Sequence, residues 1–125
     1  MDKETYNKTK RYLKSVAEHE ERCQILAKEF QESNSDELKE ALNKEQKELN
    51  QTITNIQNAI AQLPNSNQRT VLTLKYLGEI KNGRRERIEY LWQIANVMGY
   101  SETPIKVFHS NAIKNLKISE VIGKK

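Results

Sequence analysis

The sequence predicts an all-α protein: an N-terminal antiparallel helical hairpin of the coiled-coil kind, followed by a helix-turn-helix bundle. Only four Gly and two Pro interrupt 125 residues, and long stretches are rich in Lys, Glu, Gln and Leu, which lose little side-chain freedom in a helix. Apolar positions recur in steps of three and four through most of the first half. No convincing strand emerges anywhere. Hydrophobic content of 36% against 30% charged residues excludes one thick core and favours a small domain with an extended arm.

The first stripe runs Tyr6, Thr9, Leu13, Val16, Glu20, Cys23, Ala27, Phe30. Ser33, Asn34, Ser35 and Asp36 follow, residues whose side chains compete for backbone hydrogen bonds, so they end one helix and cap the next. The second stripe is Leu38, Leu42, Glu45, Leu49, Thr52, Ile56, Ala59, Leu63. Folding back at 33–35 sets Phe30 by Leu38, Cys23 by Glu45, Val16 by Thr52, Leu13 by Ile56 and Tyr6 by Leu63. Each step forward on one helix meets a step back on the other, as an antiparallel hairpin requires. One long helix, or two chains pairing through these helices as a homodimer, are the alternatives. Glu20, Glu45, Thr9 and Thr52 face inward, and each is expected to destabilise the seam unless its head group reaches water.

Leu63-Pro64 closes the second helix and divides the chain into an arm, 1–62, and a helix-turn-helix domain, 63–125. A third helix is expected from about Gln68 to Gly78. Its Arg69 and Lys75 either approach a nucleic-acid backbone or lie on a solvated face. Lys81–Arg87, KNGRRER, is the most basic run, with a turn signal at Asn82-Gly83. It reads as a loop holding Arg84, Arg85 and Arg87 against phosphates, or as a surface loop before a helix starting at Arg84 or Arg85. Trp92 is expected to cover this insertion or the hairpin.

From Leu91 the pattern is helix, turn, helix. Leu91, Ile94, Ala95 and Met98 share a face, Gly99 supplies a left-handed stop, and Ser101 or Thr103 caps a helix with Pro104 in its first turn. Ile105, Phe108, His109, Ala112, Ile113 and Leu116 form its inner stripe. Thr103, Lys106, Val107, Ser110, Asn111 and Lys114 form an outer arc that is small, polar or basic, the profile of a helix laid into a major groove. The remaining tail is expected to extend this helix and fray, with Ile118, Val121 and Ile122 offering a small contact surface.

Charge follows the same division. Residues 1–62 hold ten Lys and Arg against twelve Asp and Glu, net −2, while residues 63–125 hold eleven against five, net +6. Positive charge therefore concentrates where the major-groove profile lies. Catalytic chemistry is not indicated: there is no Gly-rich phosphate loop, nucleophile motif or paired-carboxylate signature, so neither an enzyme nor a cofactor is expected. Cys23 is the only cysteine. His19 and Cys23 share a helix face without further ligands of matching spacing, so no metal site is expected, and His109 reads as a hydrogen-bonded core or rim histidine. No signal-peptide or membrane-spanning run appears.

Leu63–Leu77 (LPNSNQRTVLTLKYL), Gln93–Ser101 (QIANVMGYS), Ile105-Lys106 and Ala112–Leu116 (AIKNL) stand in an order that resembles region 4 of the bacterial sigma factors. They resemble more closely the small phage late-gene activators of the ArpU/RinA type. The resemblance covers about the C-terminal half. It implies a DNA-binding transcription activator in the cytoplasm of a bacterial host, with double-stranded DNA and host RNA polymerase as partners. Two alternatives keep parts of this expectation: a small terminase-type subunit for DNA packaging, and an adaptor that grips RNA polymerase rather than DNA.

Overall fold

The computed structural model describes residues 2–122. Helix α1, Lys3–Ser33, begins where the Asp2 carboxylate accepts the Thr5 N–H at 2.7 Å, a cap that holds this carboxyl below its ordinary range. It ends at Asn34, whose left-handed backbone lets its N–H reach the Phe30 carbonyl at 2.7 Å. Ser35 then stands at the N-cap of α2, Asp36–Ala61, with Asp36 and Glu37 in the first turn favouring the positive end of the helix dipole. The hairpin turns where the SNSD stretch predicts. Its helices meet antiparallel, Asn55 donating to the Tyr12 hydroxyl near the base and Glu45 meeting His19 and Arg22 farther out.

Burial is confined to the base of this hairpin. In α1 only Thr9, Leu13 and Val16 are buried, and in α2 only Thr52, Ile53, Ile56, Ala59 and Ile60, while Leu26, Phe30, Leu38 and Leu42 stay half-exposed. The base is covered by the C-terminal half. Leu13, Val16, Ile56, Ile60 and Leu63 share one core with Leu72, Tyr76 and Leu77 and with Ala112, Ile113, Leu116 and Ile118. The division expected at residue 62 thus runs through a packed interior. A second, smaller core joins Val71, Ile94, Ala95 and Ile105, flanked by Leu74, Ile88, Leu91, Met98 and Phe108.

Helix α3, Ser66–Leu72, is capped by Asn65, which accepts the Gln68 N–H at 3.1 Å. A single π-helical turn, Thr73–Leu77, replaces the continuous helix expected to Gly78, and the Gly78 N–H closes it on the Thr73 carbonyl. Two strands follow, β1 Glu79–Lys81 and β2 Arg84–Glu86, paired antiparallel with Ile80 opposite Arg85. This corrects the expectation of no strand, and with it both readings of the basic run: it is neither a loop nor a helix start. Asn82 and Gly83 both have positive φ, 53° and 77°, which matches the twist of a two-residue hairpin turn.

Helix α4, Leu91–Met98, stops at Gly99, whose φ of 76° is left-handed as the sequence requires. Three residues later α5, Glu102–Asn115, begins with Ser101 at its N-cap. The tail does not extend α5. Leu116 is extended, Ile118 turns into the main core at 2% exposure, and a one-turn helix α6, Ser119–Ile122, follows. Among the described residues no helix is long and apolar enough to cross a membrane.

Candidate nucleic-acid interface

Helix α5 is gripped along one face by both cores. Ile105, Ala112 and Ile113 are fully buried and His109 nearly so, which fixes the rotation of the helix and decides what points outward. Of the six candidate residues on the outer arc, Thr103, Lys106, Val107 and Lys114 are exposed, with Val107 at 51%. Ser110 and Asn111 are half-buried at the edges of the arc. Lys106 Nζ lies 3.2 Å from Glu102 one turn earlier, so this cation near the start of the arc carries an acidic neighbour.

The turn before α5 is braced by aromatic packing. Tyr100 meets the Phe108 ring edge-on at 5.5 Å, and Asn67 of α3 donates to the Tyr100 hydroxyl at 3.0 Å. Inside, the Tyr76 hydroxyl and His109 Nε2 form the buried polar link of the main core. Burial, then the charges of Lys75, Lys10 and Lys14, push the His109 pKa down to about 4, and burial raises that of Tyr76. His109 is therefore a neutral core histidine, in agreement with the sequence.

The three arginines of the basic run separate. Arg84 is exposed, and among the described residues it has no ion-pair partner within 4.0 Å. Arg87 pairs with Glu20 of α1, while Arg85 Nε lies 3.9 Å from the same carboxylate and its guanidinium donates to the Leu77 carbonyl at 3.3 Å. Arg85 and Arg87 thus pin the β-hairpin to the arm. Glu20, expected to destabilise the seam unless its head group reached water, is neutralised in place by these arginines. Arg69 and Lys75 are also engaged, donating to the carbonyls of Leu63 and Glu89.

Glu45 behaves like Glu20. His19 Nδ1 lies 2.5 Å from Glu45 Oε1, and Arg22 Nε donates to the same oxygen at 2.7 Å, holding the Glu45 carboxyl below its ordinary range. With Glu48 these residues bring three donor atoms within 4.8 Å, which spacing on one helix could not reveal because two come from the facing helix. The Arg22 guanidinium, 2.9 Å from His19 Nδ1, already supplies the cation there. Trp92 stands 51% exposed, its ring stacked 6.4 Å from that of Tyr90 at the end of the basic segment.

Sequence reasoning missed one basic group. Lys10 and Lys14 lie on the end of α1 that packs on the C-terminal half, close enough to Lys75 and His109 to disfavour their charged forms. The signal was present in KTKRYLK, where Lys8, Lys10, Arg11 and Lys14 fall within seven residues, but averaging over 62 residues hid it behind the acidic outer arm. Comparison with protein-family models, curated proteins and solved structures gives no match.

Proposed function

We propose that the protein binds double-stranded DNA with α5 in the major groove and regulates transcription, as an activator of phage or prophage late genes. The observation that carries the reading is the two-sidedness of α5: an inner face locked by two cores and an outer arc of exposed Thr103, Lys106, Val107 and Lys114. Lys106 donates to guanine acceptors, Val107 meets a thymine methyl, and Thr103 and Ser110 supply hydrogen bonds. Asn111, at the edge of the arc, pairs with adenine where the groove wall comes close. Lys114 and Arg84 neutralise phosphates and supply affinity without selectivity. Arg85 and Arg87 support the site by holding the β-hairpin on α1, and phosphate contact is no longer assigned to them.

The resemblance to sigma region 4 supports the regulatory part of this reading. It adds host RNA polymerase as a partner and the bacterial cytoplasm as the setting. A second copy could pair through the half-exposed seam of the outer arm. No metal, cofactor or catalytic step enters the mechanism.

Selection of bound duplexes from a random library, followed by band shifts on the recovered sequence, tests the proposal. A recovered motif whose preference changes in Lys106→Ala and in Asn111→Ala is expected. Failure to bind any duplex at low salt removes the DNA reading and leaves the polymerase adaptor. A large closed ring in light scattering would favour the packaging subunit.

A further inference from the structure

Midway along the arm, three side chains from two helices bring metal-binding atoms together. His19 comes from α1, and Glu45 and Glu48, one turn apart, come from α2; one donor atom of each lies within 4.8 Å of the others. Glu45 stands at an inward position where leucine would pack better, and its side chain and that of His19 are mostly shielded from water. A carboxylate held in such a seam is costly unless a cation meets it.

The cation that meets it is a guanidinium. Arg22 Nε donates to Glu45 Oε1 at 2.7 Å, and Arg22 Nη2 lies 2.9 Å from His19 Nδ1, so oxygen and nitrogen share one cation as a chelate does. The arrangement is over-subscribed. His19 Nδ1 also stands 2.5 Å from Glu45 Oε1, and a ring nitrogen carries either a proton or a lone pair. With the proton it donates to Glu45 and opposes the Arg22 N–H. With the lone pair it accepts from Arg22 and faces the electrons of the carboxylate. Neither form satisfies all three groups, whereas a compact cation bonded to both nitrogen and oxygen would. Bonds of about 2.0 Å in a tetrahedron set donors roughly 3.3 Å apart, a small opening of the present pair.

The donor set selects the kind of ion. One imidazole and two carboxylates suit a borderline cation such as zinc, whereas calcium and magnesium favour sites built from oxygen. Arg22 does not bar entry, because its side chain is 51% exposed and can swing into water. Glu48 is exposed at the rim and can turn inward. We infer that His19, Glu45 and Glu48 form a zinc-class cation site that displaces Arg22 and clamps α1 to α2 midway along the arm, with water completing the coordination. Such a clamp does not depend on what α5 binds.

Cobalt titration of the full chain, read by the visible absorption of the coordinated ion and reversed by zinc, tests the site. His19→Ala should abolish the signal. Glu48→Gln removes an exposed carboxylate and leaves the Glu45 contacts in place; it should weaken binding at least about tenfold, the lower end of what losing even an outer partner of a metal ligand costs. Arg22→Gln should tighten binding, because a competing cation is gone. Hydrogen exchange gives a second readout. With zinc at about 100 times Kd, amides near His19 and Glu45 should exchange about a hundredfold more slowly, because opening then requires losing the ion, while those near Phe30 and Leu38 should change little. Cobalt binding that survives His19→Ala assigns the ion to adventitious groups, and binding lost in Cys23→Ser assigns it to the thiol; either overturns the site. Unchanged binding in Glu48→Gln, weaker binding in Arg22→Gln, or a wild type that gives no cobalt signal overturns it as well.

Discussion

The hydroxyl of Tyr76, on the π-helical turn, lies 2.7 Å from Nε2 of His109 on α5, with the two rings 5.7 Å apart and inclined by 24°. This contact ties α5 to the π-helical turn, and it makes the main core sensitive to acid. His109 has a folded pKa near 4 against an ordinary value of 6.5. Between those values the unfolded chain binds more protons, so stability is complete above pH 6.5 and falls as pH drops towards 4. At about 1.4 kcal/mol per pH unit the full window is worth about 3 kcal/mol. Denaturant titrations at pH 7 and pH 4.5 should show a loss of that order, and His109→Leu should flatten it. The variant is the control for Glu45, whose lowered carboxyl pKa also makes stability fall with acid. An equal pH dependence in wild type and variant would show that the imidazole is not the group responsible.

Glu102 and Lys106 form an exposed pair in the first turns of α5, and on the proposed DNA-binding function the Glu102 carboxylate would repel the phosphates. The pair itself contributes only a few tenths of a kcal/mol to the helix. Glu102→Gln should therefore leave the melting temperature within about a degree and tighten duplex binding roughly threefold to tenfold. Weaker binding would mean that Glu102 accepts from a base, as a carboxylate can from cytosine.

Glu20 holds both Arg87 and Arg85, with side-chain exposures of 18%, 24% and 17%. Glu20→Ala leaves two half-buried guanidinium groups facing no carboxylate and should destabilise by about 1–3 kcal/mol. A double-mutant cycle with Arg87→Ala should recover a coupling above 0.5 kcal/mol, about the floor for residues in contact. A coupling near zero would mean that the β-hairpin is held to α1 by other contacts.

Gly78 closes the π-helical turn at φ 72°, and a Cβ there would stand 2.4 Å from the Glu86 carbonyl oxygen. The left-handed backbone and that contact with strand β2 both oppose a side chain. Gly78→Ala should destabilise by about 2 kcal/mol or more, whereas Gly83→Ala, where a Cβ meets nothing within 4 Å, should show only the milder backbone strain. Equal losses in urea titrations would rule out the carbonyl contact as the cause.

The helical parts were legible because each has a local cause. Ser33–Asp36 turn the hairpin, Gly99 stops α4, and the inner stripe of α5 names its own buried face, so the outer arc followed from spacing alone. The β-hairpin was hidden because its strands are three residues each and mostly charged, leaving no alternation to detect; only Asn82-Gly83 gave a sign. The inward glutamates were misjudged for a different reason. Spacing shows that Glu20 and Glu45 face a neighbour, but not that Arg87, 67 residues away, or His19, 26 away, would meet them. That the hairpin packs on the C-terminal helices follows from its marginal seam, but periodicity marks only which face is covered, so the partners of Leu13 and Ile56 in the shared core came from the structure. Trp92 lay one step off the inner stripe, and that offset was already the signal that it would stand outside.

The confinement of burial to one end of the hairpin has a mechanical consequence. Beyond Glu20, where the β-hairpin is pinned, the arm is a stalk whose two helices are zipped by half-wet contacts and a carboxylate knot at Glu45. It should unzip from the tip inward while the base stays intact. A cut or a new pair of termini at Asn34-Ser35 would then leave two fragments that still associate through the base, and the stalk could change length by whole turns without disturbing α5.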